Sequence, residues 1–102
     1  MKTVKLWIVT IIAEEVLEID LIALVRGEGA TGFTAMPCRG EGSRGLRTGM
    51  EMGGNVRLEV VVSSEVAHQI VERLSSDYFA NYGVIAWLSE VSVVRGDKYV
   101  PV

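Results

Sequence analysis

The sequence predicts an α+β domain in the order strand, helix, strand, strand, helix, strand. Three observations carry this reading. Val4–Ile12 and Asn55–Val62 are β-branched runs, and each is followed by a segment whose apolar residues recur at helical spacing. Thr31–Pro37 and Val84–Val94 are further segments with apolar residues that follow glycines, as strands after a turn do. Between the second and third strands lies a glycine-rich stretch, with glycine at positions 40, 42, 45, 49, 53 and 54. Glycine gives up the most backbone entropy on folding, so this stretch is neither a packed helix nor a packed strand. Loops of this length are uncommon in compact domains and usually have a function.

The first strand, Val4–Ile12, is apolar enough to be buried on much of both faces. Ala13 to about Arg26 reads as the first helix. Leu17, Leu21 and Leu24, with Val16, Ile19 and Val25, supply its apolar side, and Glu14, Glu15, Glu18 and Asp20 sit toward its N-terminus, where the helix dipole favours negative charge. Gly27 and Gly29 stop it. Thr31–Pro37 is the second strand, closed by a proline that has no N–H for a ladder. In the third strand, Asn55–Val62, Val56, Leu58, Val60 and Val62 share one face, and Arg57 and Glu59 share the other. Ser63 or Ser64 offers an N-cap to a second helix that carries Val66, Ile70, Leu74 and Tyr78 to about Phe79. Val84–Val94 is the fourth strand, and Arg95–Lys98 is a turn. The order is βαββαβ, the ferredoxin-like split βαβ, with both helices on one face of a four-stranded sheet. The glycine-rich stretch then joins two strands that pair antiparallel at a sheet edge.

The chain has 102 residues, 49% of them apolar, which suits a single domain spanning 1–102 with a real core. No apolar run reaches the ~18 residues of a membrane span. The basic N-terminus leads into a strand without a clean small-residue cleavage site, so a cytoplasmic protein is expected. One cysteine and one histidine leave no internal disulfide and disfavour a metal site. Cys38 reads as a small packing residue, and His68 as a surface residue.

The net charge of −3 is unevenly spread. Residues 11–28 carry five acids against Arg26, whereas residues 38–57 carry four arginines against two acids. An acidic protein with one basic loop is poorly suited to nucleic acid, where phosphate neutralisation dominates affinity. It suits a small anion held at one place.

Gly27–Gly32 and Gly40–Gly45 each match G-x-G-x-x-G, but neither leads from a strand into a helix, so neither is a dinucleotide turn. Gly40 and Gly42 nevertheless let backbone N–H groups approach an anion, and Ser43 adds a hydroxyl. Arg44 and Arg47 are spaced to converge on a phosphate, which their planar forks fit. The competing reading is a solvated hairpin whose arginines aid solubility. Met50 and Met52 are apolar residues in a polar loop and are candidates for docking on a partner.

Three segments together resemble the PII signalling superfamily: Gly29-Ala-Thr-Gly-Phe-Thr, Arg39-Gly-Glu-Gly-Ser-Arg and Val56-Arg-Leu-Glu-Val-Val-Val. Within it, Gly42-Ser-Arg-Gly-Leu-Arg47, followed later by Tyr78-Phe79 and Tyr82, looks most like the branch of SbtB-type and carboxysome-associated PII-like proteins. The resemblance covers most of residues 4–95. It implies a homotrimer of ferredoxin-like subunits with a long T-loop, here about residues 38–54, and adenine nucleotides in the clefts between subunits. By that resemblance Thr34 faces the adenine and ribose. Gly40, Gly42 and Ser43 line the cleft, Arg44 and Arg47 grip phosphate, and Gly83, Val84 and Ile85 of a neighbouring subunit offer backbone to the base.

The resemblance also implies a regulator without catalytic activity, whose T-loop changes conformation with its ligand. Its partner would be a bicarbonate transporter or another carbon-handling protein, and bicarbonate is a candidate second ligand. The segment Thr-Gly-x-x-Gly-Asp-Gly-Lys, which grips polyphosphate in nitrogen-regulatory PII proteins, is replaced here by Asn81-Tyr82-Gly83. AMP and ADP therefore rank first, with cyclic AMP and ATP behind them. The modified T-loop tyrosine of many PII proteins and the C-terminal Cys-x-x-x-x-Cys of some SbtB proteins are both absent. Two rivals share the topology. An acylphosphatase needs a glycine-rich, arginine-bearing loop between the first strand and helix, where this chain has Thr10–Glu14. An RRM-like nucleic-acid module needs aromatics on the third strand, where this chain has none. A purely structural trimer of the same fold would be indifferent to nucleotides.

Overall fold

A computed structural model describes residues 1–42, 45–46 and 54–99. The strands are β1 (Thr3–Glu14), β2 (Thr34–Cys38), β3 (Glu41–Gly42), β4 (Gly45–Leu46), β5 (Asn55–Val62) and β6 (Ile85–Val94); the helices are α1 (Glu18–Glu28) and α2 (Ser64–Asp77). The main sheet runs β2-β5-β1-β6, antiparallel throughout, and β3 and β4 form a separate two-stranded ribbon. The βαββαβ order stands, with the small ribbon added inside the glycine-rich stretch.

Both helices cover the same face of the sheet. Leu21, Leu24 and Val25 of α1 and Ala67, Ile70 and Leu74 of α2 are buried in one cluster with Val9, Ile11 and Ala13 of β1 and Val56, Leu58, Val60 and Val62 of β5. The alternation in β5 is the predicted one, with even-numbered residues inward and Arg57 and Glu59 on the opposite face. The Ser63 hydroxyl caps α2 by accepting from the Val66 N–H at 3.2 Å.

Several boundaries differ from the sequence reading. β1 continues through Ala13 and Glu14, which pair with Val56 and Asn55, and α1 starts only at Glu18 after a one-turn 3-10 helix at Glu15–Leu17. Cross-strand pairing outweighs the local charge pattern that placed the helix start at Ala13. Val16 and Ile19 are about four-fifths exposed. Ile19 stands about 200° around the helix from Leu17, so it cannot share the buried side. β2 starts at Thr34, later than Thr31, and continues past Pro37 to Cys38. It is an edge strand, where a proline forfeits no ladder bond that the sheet needs. α2 stops at Asp77, two residues early, and β6 starts at Ile85.

Gly29 ends α1 at φ 123°. Its N–H bonds to the Arg26 carbonyl and the Ala30 N–H to the Val25 carbonyl, the paired bonds of a Schellman cap. Ala30 and Val25 are both buried, which adds the apolar contact that usually accompanies this cap.

Candidate functional site

The sheet face away from the helices carries side chains in rows set by the strand register. Thr34, Glu59, Thr10 and Trp87 form one row across β2, β5, β1 and β6; Met36, Arg57, Ile12 and Ile85 form the next. The two rows are tied together. Glu59 Oε2 accepts from Thr10 Oγ1 at 3.2 Å and from Arg57 Nη2 at 2.9 Å. The Arg57 guanidinium lies 5.7 Å from the centre of the Trp87 ring, a cation–π distance. These groups bury Thr10 almost completely, although it faces away from the core. Trp87, Ile85 and Met36 stay roughly two-fifths to one-half exposed.

At one end of the first row, a cleft of about 340 Å³ opens where β2 begins. Thr31, Gly32, Phe33 and Thr34 form one wall, Ile8 and Glu59–Val61 the floor, and Lys98 and Tyr99 the far side. The Arg26 guanidinium covers Phe33 at 5.3 Å from the ring centre. The cleft combines aliphatic and aromatic walls with two threonine hydroxyls, a carboxylate and an ammonium. That is the mixture that binds a flat, partly polar organic molecule: apolar walls for the ring and a few polar groups to orient it.

The residues singled out from the sequence occupy three places. Thr34 lines the cleft. Gly40 lies beyond the other end of β2, six residues on and at most roughly 20 Å away at strand spacing. Gly40 is exposed, and a Cβ there would meet no atom within 4 Å. Gly42 lies in the small ribbon, paired with Gly45. Gly83, Val84 and Ile85 lead into β6, on the opposite edge of the sheet from β2 and three strand spacings, roughly 14 Å, across. Ser43, Arg44, Arg47, Met50 and Met52 lie outside the described residues. Among the described residues, Thr34, Gly40 and Gly83–Ile85 therefore stand on separate parts of the chain.

The sequence reading missed Lys98, Tyr99, Phe33, Glu59 and Ile8 as cleft residues. Glu59 and Ile8 had a signal, since both face away from the core by strand alternation. Lys98 and Tyr99 had none, because only the chain's return along β1 and β6 brings them to β2. A second, smaller cleft of about 130 Å³ lies between Glu15, Glu18, Met36, Pro37 and Asn55. Among the described residues no cluster of His, Cys, Asp and Glu is placed to hold a metal ion, and no helix is long and apolar enough to cross a membrane. Cys38 is a half-buried free cysteine on β2. His68 is exposed, with Nδ1 2.7 Å from the Ser64 carbonyl.

Solved structures of PII-like proteins share this architecture. A PII-like signalling protein from Thermus thermophilus is 48% identical and superposes with a TM-score of 0.85, over 98% of this chain and all of that one. CPII, a nitrogen regulatory PII-like protein from Thiomonas intermedia K12 bound to ADP, AMP and bicarbonate, gives a TM-score of 0.87 at 21% identity over 97% of each chain. GlnK of B. subtilis is more distant, with a TM-score of 0.63 at 17% identity over 86% of each chain. The family model described as nitrogen regulatory protein P-II matches residues 6–98. With residues 6–98 of its 102 matched and the ferredoxin-like fold in place, this chain belongs to the P-II family.

Proposed function

We propose that the protein is a non-enzymatic PII-like signalling protein that binds an adenine nucleotide between copies of itself and changes its T-loop in response. The observation that carries this reading is the separation of its candidate residues. The cleft at Thr34 suits a nucleoside: Ile8 and Val61 with the Phe33 and Tyr99 rings flank a flat base, and the threonines and Glu59 meet polar edges. The loop base at Gly40–Arg47 suits phosphate. Because the cleft lies at the start of β2 and Gly40 beyond its far end, a second copy would complete the site, one subunit supplying the cleft and its neighbour the loop base, with Gly83, Val84 and Ile85 as a further backbone wall.

PII proteins are trimers, and the uncovered sheet face is the surface this chain offers for assembly. It carries Trp87, Ile85 and Met36 around the Arg57–Glu59 pair, on a sheet whose other face is already filled by helices. The CPII structure is bound to ADP, AMP and bicarbonate, which supports AMP or ADP as ligand and bicarbonate as a second one. Phosphate charge would draw in Arg44 and Arg47 and favour one loop arrangement, so that Met50 and Met52 meet a partner in one state and not the other. A bicarbonate transporter or another carbon-handling protein, the partner of the SbtB-type branch, is the finer form of this proposal.

Calorimetry with AMP, ADP, ATP and cyclic AMP tests it, with and without bicarbonate. AMP or ADP is expected to bind most tightly, and Arg44→Ala or Arg47→Ala to weaken binding roughly tenfold each, the scale of a charge-assisted hydrogen bond. Absence of heat with every nucleotide refutes the reading. Unchanged affinity in both variants moves the phosphate away from these arginines.

A further inference from the structure

We propose that the outward side of α1 is a docking surface for a cationic amphipathic helix of a partner protein, with Val16, Ile19 and Ala23 as its apolar contacts and Glu15 and Asp20 as its charged border. This does not depend on the nucleotide reading. α1 and α2 cover the same sheet face, but their solvent sides differ in kind. Every exposed residue of α2 is polar, Glu65, His68, Glu72 and Arg73 among them. That is the ordinary pattern of a surface helix. On α1, Ile19 and Ala23 are exposed, and so is Val16 in the 3-10 turn before it. The three fall at i, i+3 and i+7, so they stand along one side of the helix. Val16 and Ile19 are about four-fifths exposed, more than any other described large apolar residue except Met1. The inward side of α1 is apolar as well, with Leu21, Leu24 and Val25 in the core. A helix that is apolar on opposite sides is expected to be covered on both. The sheet face left for assembly is on the far side of the sheet from the helices, so a trimer built through it leaves this stripe outward.

The border selects the charge of the partner. Glu15 and Asp20 are exposed, and neither is in an ion pair among the described residues. The sequence has no lysine or arginine from residue 6 to residue 25, and the next cation, Arg26, lies over the Phe33 ring. The helix dipole accounts for acids at a helix start. It does not account for a valine and an isoleucine standing in water among them. The complementary surface is a helix with apolar residues along one side and lysine or arginine beside them. The same acids repel the anionic face of a lipid bilayer, which favours a protein over a membrane. The stripe begins at the foot of the glycine-rich stretch, where the Glu15 N–H donates to the Gly54 carbonyl at 3.1 Å.

Fluorescence anisotropy with a labelled synthetic amphipathic helix of leucine and lysine, on the full chain, tests this. The same peptide with glutamate in place of lysine is the comparison, and the lysine peptide is expected to bind at least about tenfold more tightly. The double variant Val16→Gln with Ile19→Gln should weaken it by about tenfold or more, the scale of one aliphatic side chain left in water. Glu15→Gln with Asp20→Asn should weaken it by a smaller factor and flatten its dependence on salt. Glu72→Gln, on the polar side of α2, should leave it unchanged. These positions are exposed, so each variant is expected to keep the wild-type melting temperature, which separates lost docking from lost folding. A lysine peptide that the wild-type chain does not bind, or that the Val16, Ile19 variant binds equally well, overturns the docking surface. An assembly larger than a trimer that this variant reduces to a trimer in light scattering also overturns it, because another copy then covers the stripe.

Discussion

Gly29 shows how much one residue does for this fold. At φ 123° it occupies backbone space that side chains rarely enter, and a Cβ there would come within 3.2 Å of Val66 Cγ2 on α2. Gly29→Ala therefore combines backbone strain with a contact between the helices. It is expected to cost roughly 1–3 kcal/mol, read as a lower urea midpoint with an unchanged slope. The sequence announced this glycine as a helix stop; the close approach to Val66 belongs to the packed molecule. Glu59 is a second such case. Strand alternation placed it on the wetter face of β5, but not its neighbours: Thr10 comes from a strand 49 residues earlier, and Trp87 reaches the pair through Arg57 from the opposite sheet edge.

At the scale of elements, the ends of α1 and α2 are joined by charge. Arg73 bonds to Glu28 at 2.8 Å and to Asp77 at 3.0 Å. The Asp77 carboxyl is held below its ordinary value of 3.8, first by the Ser76 hydroxyl that donates to it and then by Arg73. A depressed carboxylate stabilises the fold above its unfolded value and loses that contribution as the pH falls through its lower folded value. Stability should therefore be flat in this term from neutral pH down to about 3.8 and decline below it. Asp77→Asn should lower stability slightly at pH 7 and remove that part of the acid decline, checked by urea unfolding at a series of pH values. The effect is small because the pair is exposed. The helix boundaries make the complementary point. A serine at 63 or 64 and the apolar spacing identified α2, whereas α1 began later than its acidic residues suggested, since Ala13 and Glu14 have strand partners on β5.

For the whole molecule, the governing feature is a sheet with helices on one face only. A monomer would leave Trp87, Ile85 and Met36 in water beside a half-buried ion pair. Trp87→Glu is expected to put a charge at that surface and reduce the mass seen by light scattering from three subunits to one. Nucleotide affinity should fall with it, because the cleft and the loop base would no longer meet. A variant that remains trimeric would place the interface on another surface.

The sequence by itself determined the order of the helices and the four main-sheet strands, the inward face of β5, a serine cap for α2, a glycine stop for α1 at Gly29, though not at Gly27, which lies inside the helix, and the glycine-rich, basic character of the loop. These depend on periodicity and on backbone chemistry that is local in the chain. Its resemblance to the PII superfamily was legible in the same segments, and the match over residues 6–98 bears out the family. Tertiary structure alone decided that β1 runs to Glu14, that Ile19 faces solvent, and that Thr34 and Gly40 stand at different ends of one strand. It also decided that Lys98 and Tyr99 close the cleft beside Thr31. These facts come from contacts between residues far apart in sequence, and local pattern carries no record of which distant segments meet.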